Sequence, residues 1–399
     1  MAKSRRLLAL TGGIHQIPVI RTAQSMGLAV VVTDRDPSAP GLLAADYPVI
    51  VDAKDHDAIL AVARQHGVSG VIAEQSDVAV LTAASVAEAL GLPGIGIAVA
   101  RRATDKYLMR EACHDAGIPT PKYRYVATAA EARKAVASIG LPVVVKPTDS
   151  QSSRGVTKVA GSEQLDAAFG RAKAESRSGG ILVEEMMVGR EGSIESFVSD
   201  GRVHVLGFCD KVKCAPPFSF DLRLIYPGDY SAAVMDDILA MNDAVITAIG
   251  INTGLVHVEF IATQAGVRLI EIAARGCGAR VATDLLPALT GADIIGLRIR
   301  QAIGEPATFA RNDGHEFGIL RFLELPPGQI VGLGDTRQAA ALENVVLLHF
   351  PHSLGDVIPI VESGDARPGF VIGVGKSRDD VIALAERAIQ ILDVHVKAG

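Results

Sequence analysis

Lys146 opens the run KPTDSQSSRGVTKV, in which a cation at the end of an apolar stretch meets a turn of small and hydroxyl residues. Hydroxyls at Ser150, Ser152 and Ser153, with backbone amides freed by Gly155, can wrap phosphate oxygens, and Arg154 adds a further charge. The spacing is not that of a Walker A loop. Downstream, ILVEEMMVGRE carries Glu184, Glu185, Met187 and Glu191. A carboxylate there can accept an adenine amino proton, the Met187 backbone can pair with the ring edge, Glu191 can hold ribose hydroxyls, and methionines make soft walls for a flat base. Taken singly, each piece also fits a solvated turn or a plain strand end.

A third group lies on two stretches with alternating faces. His257 and Glu259 in LVHVEFI share one face, and Glu271, Ala273 and Arg275 in LIEIAAR share another. Two carboxylates on paired apolar strands are costly to bury without a compensating cation. Mg2+ bridging carboxylates and phosphates is the economical compensation, and an ion pair of Glu271 with Arg275 or Arg280 is the alternative. Arg275 and Arg280 can clamp a carboxylate, while Glu74 and Asp77 at a crevice edge can pair with an α-ammonium. Lys211, Lys213 and Arg223, in CDKVKCAPPFSFDLR, fit a loop over an acceptor.

These residues need elements to hold them. From Leu7, short β-branched runs alternate with helical patterns: LLALTGG, a helix from Ile20 to Met26, LAVVVTD, YPVIVDA, a helix from His56 to His66, VSGVIAE and a helix near Val78 to Leu90. This alternation predicts parallel strands with crossover helices and a ligand crevice at their carboxyl ends, where TGG, Asp34 and Glu74 to Asp77 lie. From Arg102 the pattern changes. DKYLMREACHDAGIP reads as an Asp-started helix closed by Gly117 and Pro119, and antiparallel strands follow, with a hairpin at Asp200-Gly201 and another strand pair around Gln264 to Gly266. Beyond Glu305, PPGQIVG, NVVLLHFP, RPGFVIGVG and a helix from Arg378 to Leu392 read as a smaller α+β domain.

Composition bounds the function. The chain has 399 residues, 49% hydrophobic and 21% charged, which predicts two or three globular domains. A formal charge of -6, no Trp and only 4% aromatics argue against nucleic acid as a partner. Four cysteines without CxxC spacing predict neither disulfides nor a zinc site, and point to the cytoplasm. Apolar runs all break before the roughly 20 residues a membrane span needs.

Taken in order, Lys106, Lys146, the SQSSRGV turn, Glu184 to Glu191, Glu259 and Glu271 resemble the ATP-grasp superfamily of carboxylate-amine ligases over about residues 1 to 300. The resemblance implies an α/β and α+β multidomain fold: a parallel-sheet domain at 1–101, an ATP-grasp domain at 102–304, divided into 102–183 and 184–304, and a small α+β domain at 305–399. It implies that Lys106 and Lys146 contact ATP phosphates, that Ser152, Ser153, Arg154 and Gly155 close over them, and that Glu184, Glu185 and the Met187 backbone lie at adenine. Glu191 would hold the ribose, and Glu259 and Glu271 would hold Mg2+, or Mn2+ in its place. Two positions depart from D-alanine:D-alanine ligases: Ala273 replaces the Asn that follows the second metal glutamate, and His257 stands where that family has Arg. His257 can steady acyl-phosphate oxygens, meet substrate, or be a satisfied buried histidine. The run EIAARGCGARVATDLLPALTGADI is similar to the carbamoyl-phosphate-synthetase-like and L-amino-acid ligase branches, in which Arg275 would stabilise the reacting groups.

The implied chemistry is phosphorylation of a small carboxylate by ATP, followed by attack of an amine, with Arg275, His257 and Lys146 as catalytic candidates and a homodimer as the family's habit. Carboxylases or formyltransferases acting on ribosyl phosphates share the outline, as does a non-catalytic ATP-binding protein. A nicotinamide oxidoreductase fits poorly, because TGGIHQIP lacks GxGxxG and contains Pro18.

Overall fold

Alternation of strand and helix periods in the first hundred residues yields a parallel sheet. In the computed structural model, which describes residues 5–151, 153–215 and 218–397, β1 (Arg6–Leu10), β2 (Ala29–Asp34), β3 (Tyr47–Ile50) and β4 (Gly70–Ile72) pair in the order β3-β2-β1-β4, all parallel. Leu7, Ala9, Val30 and Val32 pack on Val19 and Ile20 of helix Ile17–Ser25, while Leu8, Leu10 and Val31 pack on Ile59, Val62 and Ala63 of helix His56–His66. Alternate strand residues point to opposite faces, so both faces acquire a helical cover. Pro18 stands in the first turn of its helix, where its missing N–H removes no bond. The TGG turn passes close to the next helix. Gly41 N donates to Gly12 O at 2.6 Å, and a Cβ on Gly41 would lie 2.5 Å from Gly12 Cα, so only glycine fits there.

The next unit is an antiparallel sheet. β5 (Tyr123–Val126), β6 (Val143–Pro147), β7 (Thr157–Val159) and β8 (Ile181–Glu185) run in the order β5-β8-β6-β7, backed by helices Ala129–Ile139 and Leu165–Glu175. Val144 stands opposite Glu184, so Lys146, two residues on, shares a face with that carboxylate. The helix Lys106–Asp115 precedes this sheet, and the Asp105 side chain accepts from Tyr107 N and Leu108 N at its start.

A third, larger sheet holds β9 (Arg190–Ser199), β10 (Arg202–Lys213), β11 (Asp221–Tyr226), β12 (Gly254–Thr263), β13 (Gly266–Ala273) and β14 (Phe317–Phe322). Beyond these come β15 (Gly328–Gly332), β16 (Val345–His349), β17 (Val357–Ile358), β18 (Phe370–Gly375) and β19 (His395–Lys397). The large sheet runs β13-β12-β9-β10-β11-β14-β18-β16, and β17-β15-β19 form a small one. The β9–β10 hairpin turns at Asp200 (φ 50°) and Gly201 (φ 75°), the double positive φ of the tight turns that suit twisted strands. Val256, Val258 and Ile272 meet Ile238, Met241, Val245 and Ile249 of helix Ala232–Ile249 on one face. This leaves Glu195, His257, Glu259 and Glu271 on the other face, while Ser196 bonds Asn242 of the helix. Among the described residues, no helix is long and apolar enough to cross a membrane.

Candidate active site

The face carrying Lys146 and the polar face of the large sheet bound a cleft of about 1410 Å³. Lys106 and Lys146 stand in its wall, 7% and 6% exposed. Lys106 Nζ lies 2.8 Å from Glu271 Oε1 and donates to Ser150 O at 2.7 Å. Burial works against its charge, but Glu271 prevails and raises its pKa. Lys146 Nζ lies 2.6 Å from Glu184 Oε2, and Arg110 Nε donates to Glu184 Oε1 at 2.8 Å. Burial would push the Glu184 carboxyl up, but Arg110 and Lys146 hold it down at about 2. Lys146 responds differently. Burial, aided by the Arg110 charge, pulls it below the usual lysine value in spite of Glu184.

The sequence reading gave the Glu184 carboxylate an adenine amino proton. Here both its oxygens are engaged by Arg110 and Lys146, because the strand turns it inward onto the two cations. Arg110 was missed. It follows Lys106 by four residues on one helix, so both point to the same face, and that spacing was its signal. Glu185, Met187 and Glu191 lie along the cleft, with Glu185 accepting from Lys122 N at 3.2 Å and Glu191 paired to Lys213 at 2.6 Å.

Ser152 lies outside the described residues. Around it, Gln151 Oε1 accepts from Asp77 N at 2.9 Å, Ser153 Oγ donates to Ser219 O at 3.2 Å, and Arg154 pairs with Asp365 at 3.4 Å. The turn therefore touches the parallel-sheet unit, the β10–β11 connection and the C-terminal segment. Arg154 does not line the main cleft. Its charge goes to Asp365 and to a smaller crevice shared with Asp34, Arg35 and Lys54. Gly155 has φ 75°, and a Cβ there would come 3.0 Å from Glu175 Cβ.

The register sets Glu259 and Glu271, expected on paired strands, directly opposite each other, which puts both carboxylates on one face. His257 stands opposite Glu195 on β9. Glu259 Oε1 is 2.5 Å from Lys211 Nζ, and Lys211 is also 3.4 Å from Asp221. Burial works against the charge of both groups, yet Lys211 holds Glu259 well below the usual carboxylate range, and Asp221 with Glu259 keeps Lys211 well above the usual lysine value. His257 Nδ1 lies 2.7 Å from Glu195 Oε1 and Nε2 lies 3.4 Å from Glu259. Burial disfavours the imidazolium, and Glu195 more than offsets that. In this structure Glu271 is compensated by Lys106, rather than by Arg275 or Arg280, and Glu259 by Lys211; the two opposed carboxylates could hold a divalent cation where those lysines turn to phosphate, and Ala273 supplies no third ligand.

Arg275 grips Asp77 with two bonds of 2.7 Å rather than pairing with Glu271, and both residues stand in the cleft wall. Glu74 does not. It is 3% exposed, its oxygens accept from Arg298 Nε at 2.9 Å and Gly276 N at 2.8 Å, and it braces the Gly276 turn from behind instead of facing an α-ammonium. Arg280 is also off the wall, held by Asp284 at 2.5 and 2.7 Å one helical turn away, so it is not a free clamp. The reading also missed Glu195 and Arg367, which lie in an ordinary-looking strand and a Pro-Gly turn.

Residues 139–284 match the ATP-grasp domain, the class to which the cleft and its two antiparallel sheets belong. The chain thus carries an ATP-grasp domain, and its residues 321–397 match the L-amino acid ligase C-terminal domain 2. It is 27% identical over 312 residues to the formate-dependent phosphoribosylglycinamide formyltransferase of Nitratidesulfovibrio vulgaris, covering 77% of this chain and 78% of the relative. The L-amino acid ligase of Bacillus licheniformis superposes with a TM-score of 0.84 at 21% identity, over 100% of both chains. The biotin carboxylase domain of Hydrogenobacter thermophilus 2-oxoglutarate carboxylase, solved with MgADP, superposes with a TM-score of 0.78 at 19% identity, over 98% of this chain and 91% of that one. These structural likenesses show the fold, and ATP with Mg2+ is the pair that fold uses.

Proposed function

We propose that this protein joins a small carboxylic or amino acid to an amine or amino acid through an acyl phosphate, releasing ADP and phosphate. The observation that carries this reading is the opposed pair Glu259 and Glu271, facing Lys106 and Lys146 across one cleft with Arg275 beyond them. Lys106 and Lys146 bind the transferring phosphates, and their buried positions make that attraction strong. Glu259 and Glu271 would hold Mg2+, or Mn2+, which would supply Lewis-acid polarisation of phosphoryl oxygens. Arg275, fixed by Asp77, and His257, fixed by Glu195, supply oriented positive charge where oxygens of the acyl phosphate gather. A carboxylate oxygen leaves poorly and phosphate leaves well, which is why the acid must first be phosphorylated. Gln151, tied to Asp77, and the stretch from Ser153 to Gly155 would keep water from that intermediate.

The working division is 1–101, 102–304 and 305–399, the expected assembly is a homodimer, and free cysteines support a reducing cytoplasm as its compartment. Kinship to the formyltransferase supports a second reading, in which formate is the acid and a phosphoribosylglycinamide the amine. Incubation with ATP, Mg2+ and pooled acids and amines, read as ADP release and product mass beside a Glu271→Ala control, separates the two. A product mass of acid plus amine minus water names the substrates, whereas ADP release no greater than in the control rejects the ligase reading.

A further inference from the structure

Glu195, His257 and Cys277 come from three separate segments and meet at the floor of the cleft. The register of β9 and β12 sets Glu195 opposite His257, and Glu195 Oε1 lies 2.7 Å from His257 Nδ1. Cys277 follows β13 in a braced turn: Gly276 N donates to Glu74 at 2.8 Å, and Cys277 O accepts from Ala282 N at 3.4 Å. Its thiol stands within hydrogen-bonding reach of the imidazole. A carboxylate oxygen, a ring nitrogen and the Cys277 sulfur all lie within 4.8 Å of one another, and all three residues are buried. Glu195 is 1% exposed, yet its Oε2 has no hydrogen-bond partner among the described residues. A buried carboxylate oxygen left unpaired is costly, and a ligand within its reach removes that cost.

The donor set selects the ligand. Oxygen, imidazole nitrogen and thiolate sulfur together suit zinc, whereas Mg2+ favours oxygen. Zinc bonds of about 2.0 to 2.3 Å put tetrahedral ligands about 3.3 to 3.8 Å apart, so rotation of the side chains is enough to close the three on one ion. His257 and Cys277 line the cleft, which gives the fourth position to water or to a molecule bound there. Zinc exchanges for the imidazolium and thiol protons, so the net charge of the group stays the same. The cations near Cys277 therefore do not oppose the ion: Lys211 is matched by Asp221 and Glu259, Arg275 by Asp77, and Arg367 donates to Asp221 O. Cys209, the other buried thiol near Glu195, is bonded to Ser193 Oγ at 3.2 Å and lies off the cleft wall. Strand register and a turn assemble the three ligands, which is why no CxxC spacing announces them.

We propose that Glu195, His257 and Cys277 bind one zinc ion at the floor of the cleft, beside the carboxylates of Glu259 and Glu271 and separate from them. The test titrates the full chain, stripped with a chelator and kept in excess Mg2+, with Co2+ as a coloured stand-in for zinc. One Co2+ per chain should bind with a near-ultraviolet thiolate-to-cobalt charge-transfer band, and one equivalent of Zn2+ should abolish that band. Losing an outer partner of a metal ligand costs about 10- to 100-fold in affinity, so Cys277→Ser, His257→Asn and Glu195→Gln, which remove ligands outright, should each weaken zinc binding at least about 100-fold. Cys277→Ser should also lack the band, whereas Cys209→Ser and Glu259→Gln should keep it. A wild type without the band, a band that survives Cys277→Ser, or one lost in folded Cys209→Ser or Glu259→Gln overturns the assignment. Unfolding temperatures check that the variants fold; if His257→Asn or Glu195→Gln does not, wild type and Cys277→Ser, which exchanges a single atom, decide. The band needs neither ATP nor substrate, so a protein that binds cobalt in this way but releases no ADP retains the zinc site and loses only the ligase reading.

Discussion

Replacing Glu184 by glutamine removes the anion between two buried cations while keeping the side chain's shape. Arg110 is 0% exposed and Lys146 6%, so neither can turn to water without moving the helix or strand that bears it. The carboxyl falls from 4.5 to about 2 on folding, and at about 1.4 kcal/mol per unit that is a stabilisation of roughly 3–4 kcal/mol near neutrality. The cost of breaking a buried pair from one side, about 3–5 kcal/mol, agrees. At about 2–4 °C per kcal/mol for a unit of this size, the apparent unfolding temperature should drop by roughly 6–16 °C. The sign with pH follows from a depressed carboxyl. Its contribution is fully present above the unfolded value of 4.5 and is lost as pH falls towards 2, so the gap between wild type and variant should narrow from pH 7 to pH 3. Thermal and denaturant unfolding of Glu184→Gln, Arg110→Met and the double variant measure this, and the double should lose less than the sum because it leaves one cation fewer unpaired. A gap below about 0.5 kcal/mol at pH 7, or one that does not change with pH, would refute the argument.

Other outcomes follow from the same geometry. Glu271→Gln should cut ADP release at least about 100-fold while nucleotide binding, followed by a fluorescent ATP analogue, changes only a few-fold. Arg275→Lys keeps the charge but loses the two-bond grip on Asp77, and kcat should fall about 10- to 100-fold with a smaller change in the KM for ATP. Gly155→Ala forces a side chain into φ 75° against Glu175, and should raise the KM for ATP several-fold with stability lowered by about 1 kcal/mol.

The parallel sheet was legible because its signals are local: strand and helix periods alternate, and caps such as Asp55 and Gly67 sit where the period changes. Lys146, Glu259 and Glu271 stand out by type and order, since such charges on apolar strands ask for a reason, and Lys106 stands out directly after the helix-capping Asp105. What stayed hidden depends on long-range pairing. Alternation assigns faces within one strand, but only the β12–β13 register brings Glu259 opposite Glu271, and nothing near Glu74 announces Arg298, 224 residues away. Arg110 reads as an ordinary charged helix residue until Glu184 arrives from β8. Arg367 sits in a turn whose proline and glycine account for its neighbours, so no pattern singles it out.

The large sheet does not stop at the metal-facing strands: β11 pairs with β14 from Arg223 opposite Arg321 to Tyr226 opposite Gly318, and β18 follows directly. That seam constrains any chimaera. Exchanging residues 305–399 with those of a relative replaces three strands of an eight-stranded sheet, so the donor must reproduce the β11–β14 register or leave β11 as an exposed, sticky edge. A one-residue slip would turn Leu320 and Phe322, which belong to the core, to the opposite face of the sheet. Recombination between relatives would therefore succeed with breakpoints in the connection between Ala302 and Phe317, and fail with breakpoints inside the strands that follow.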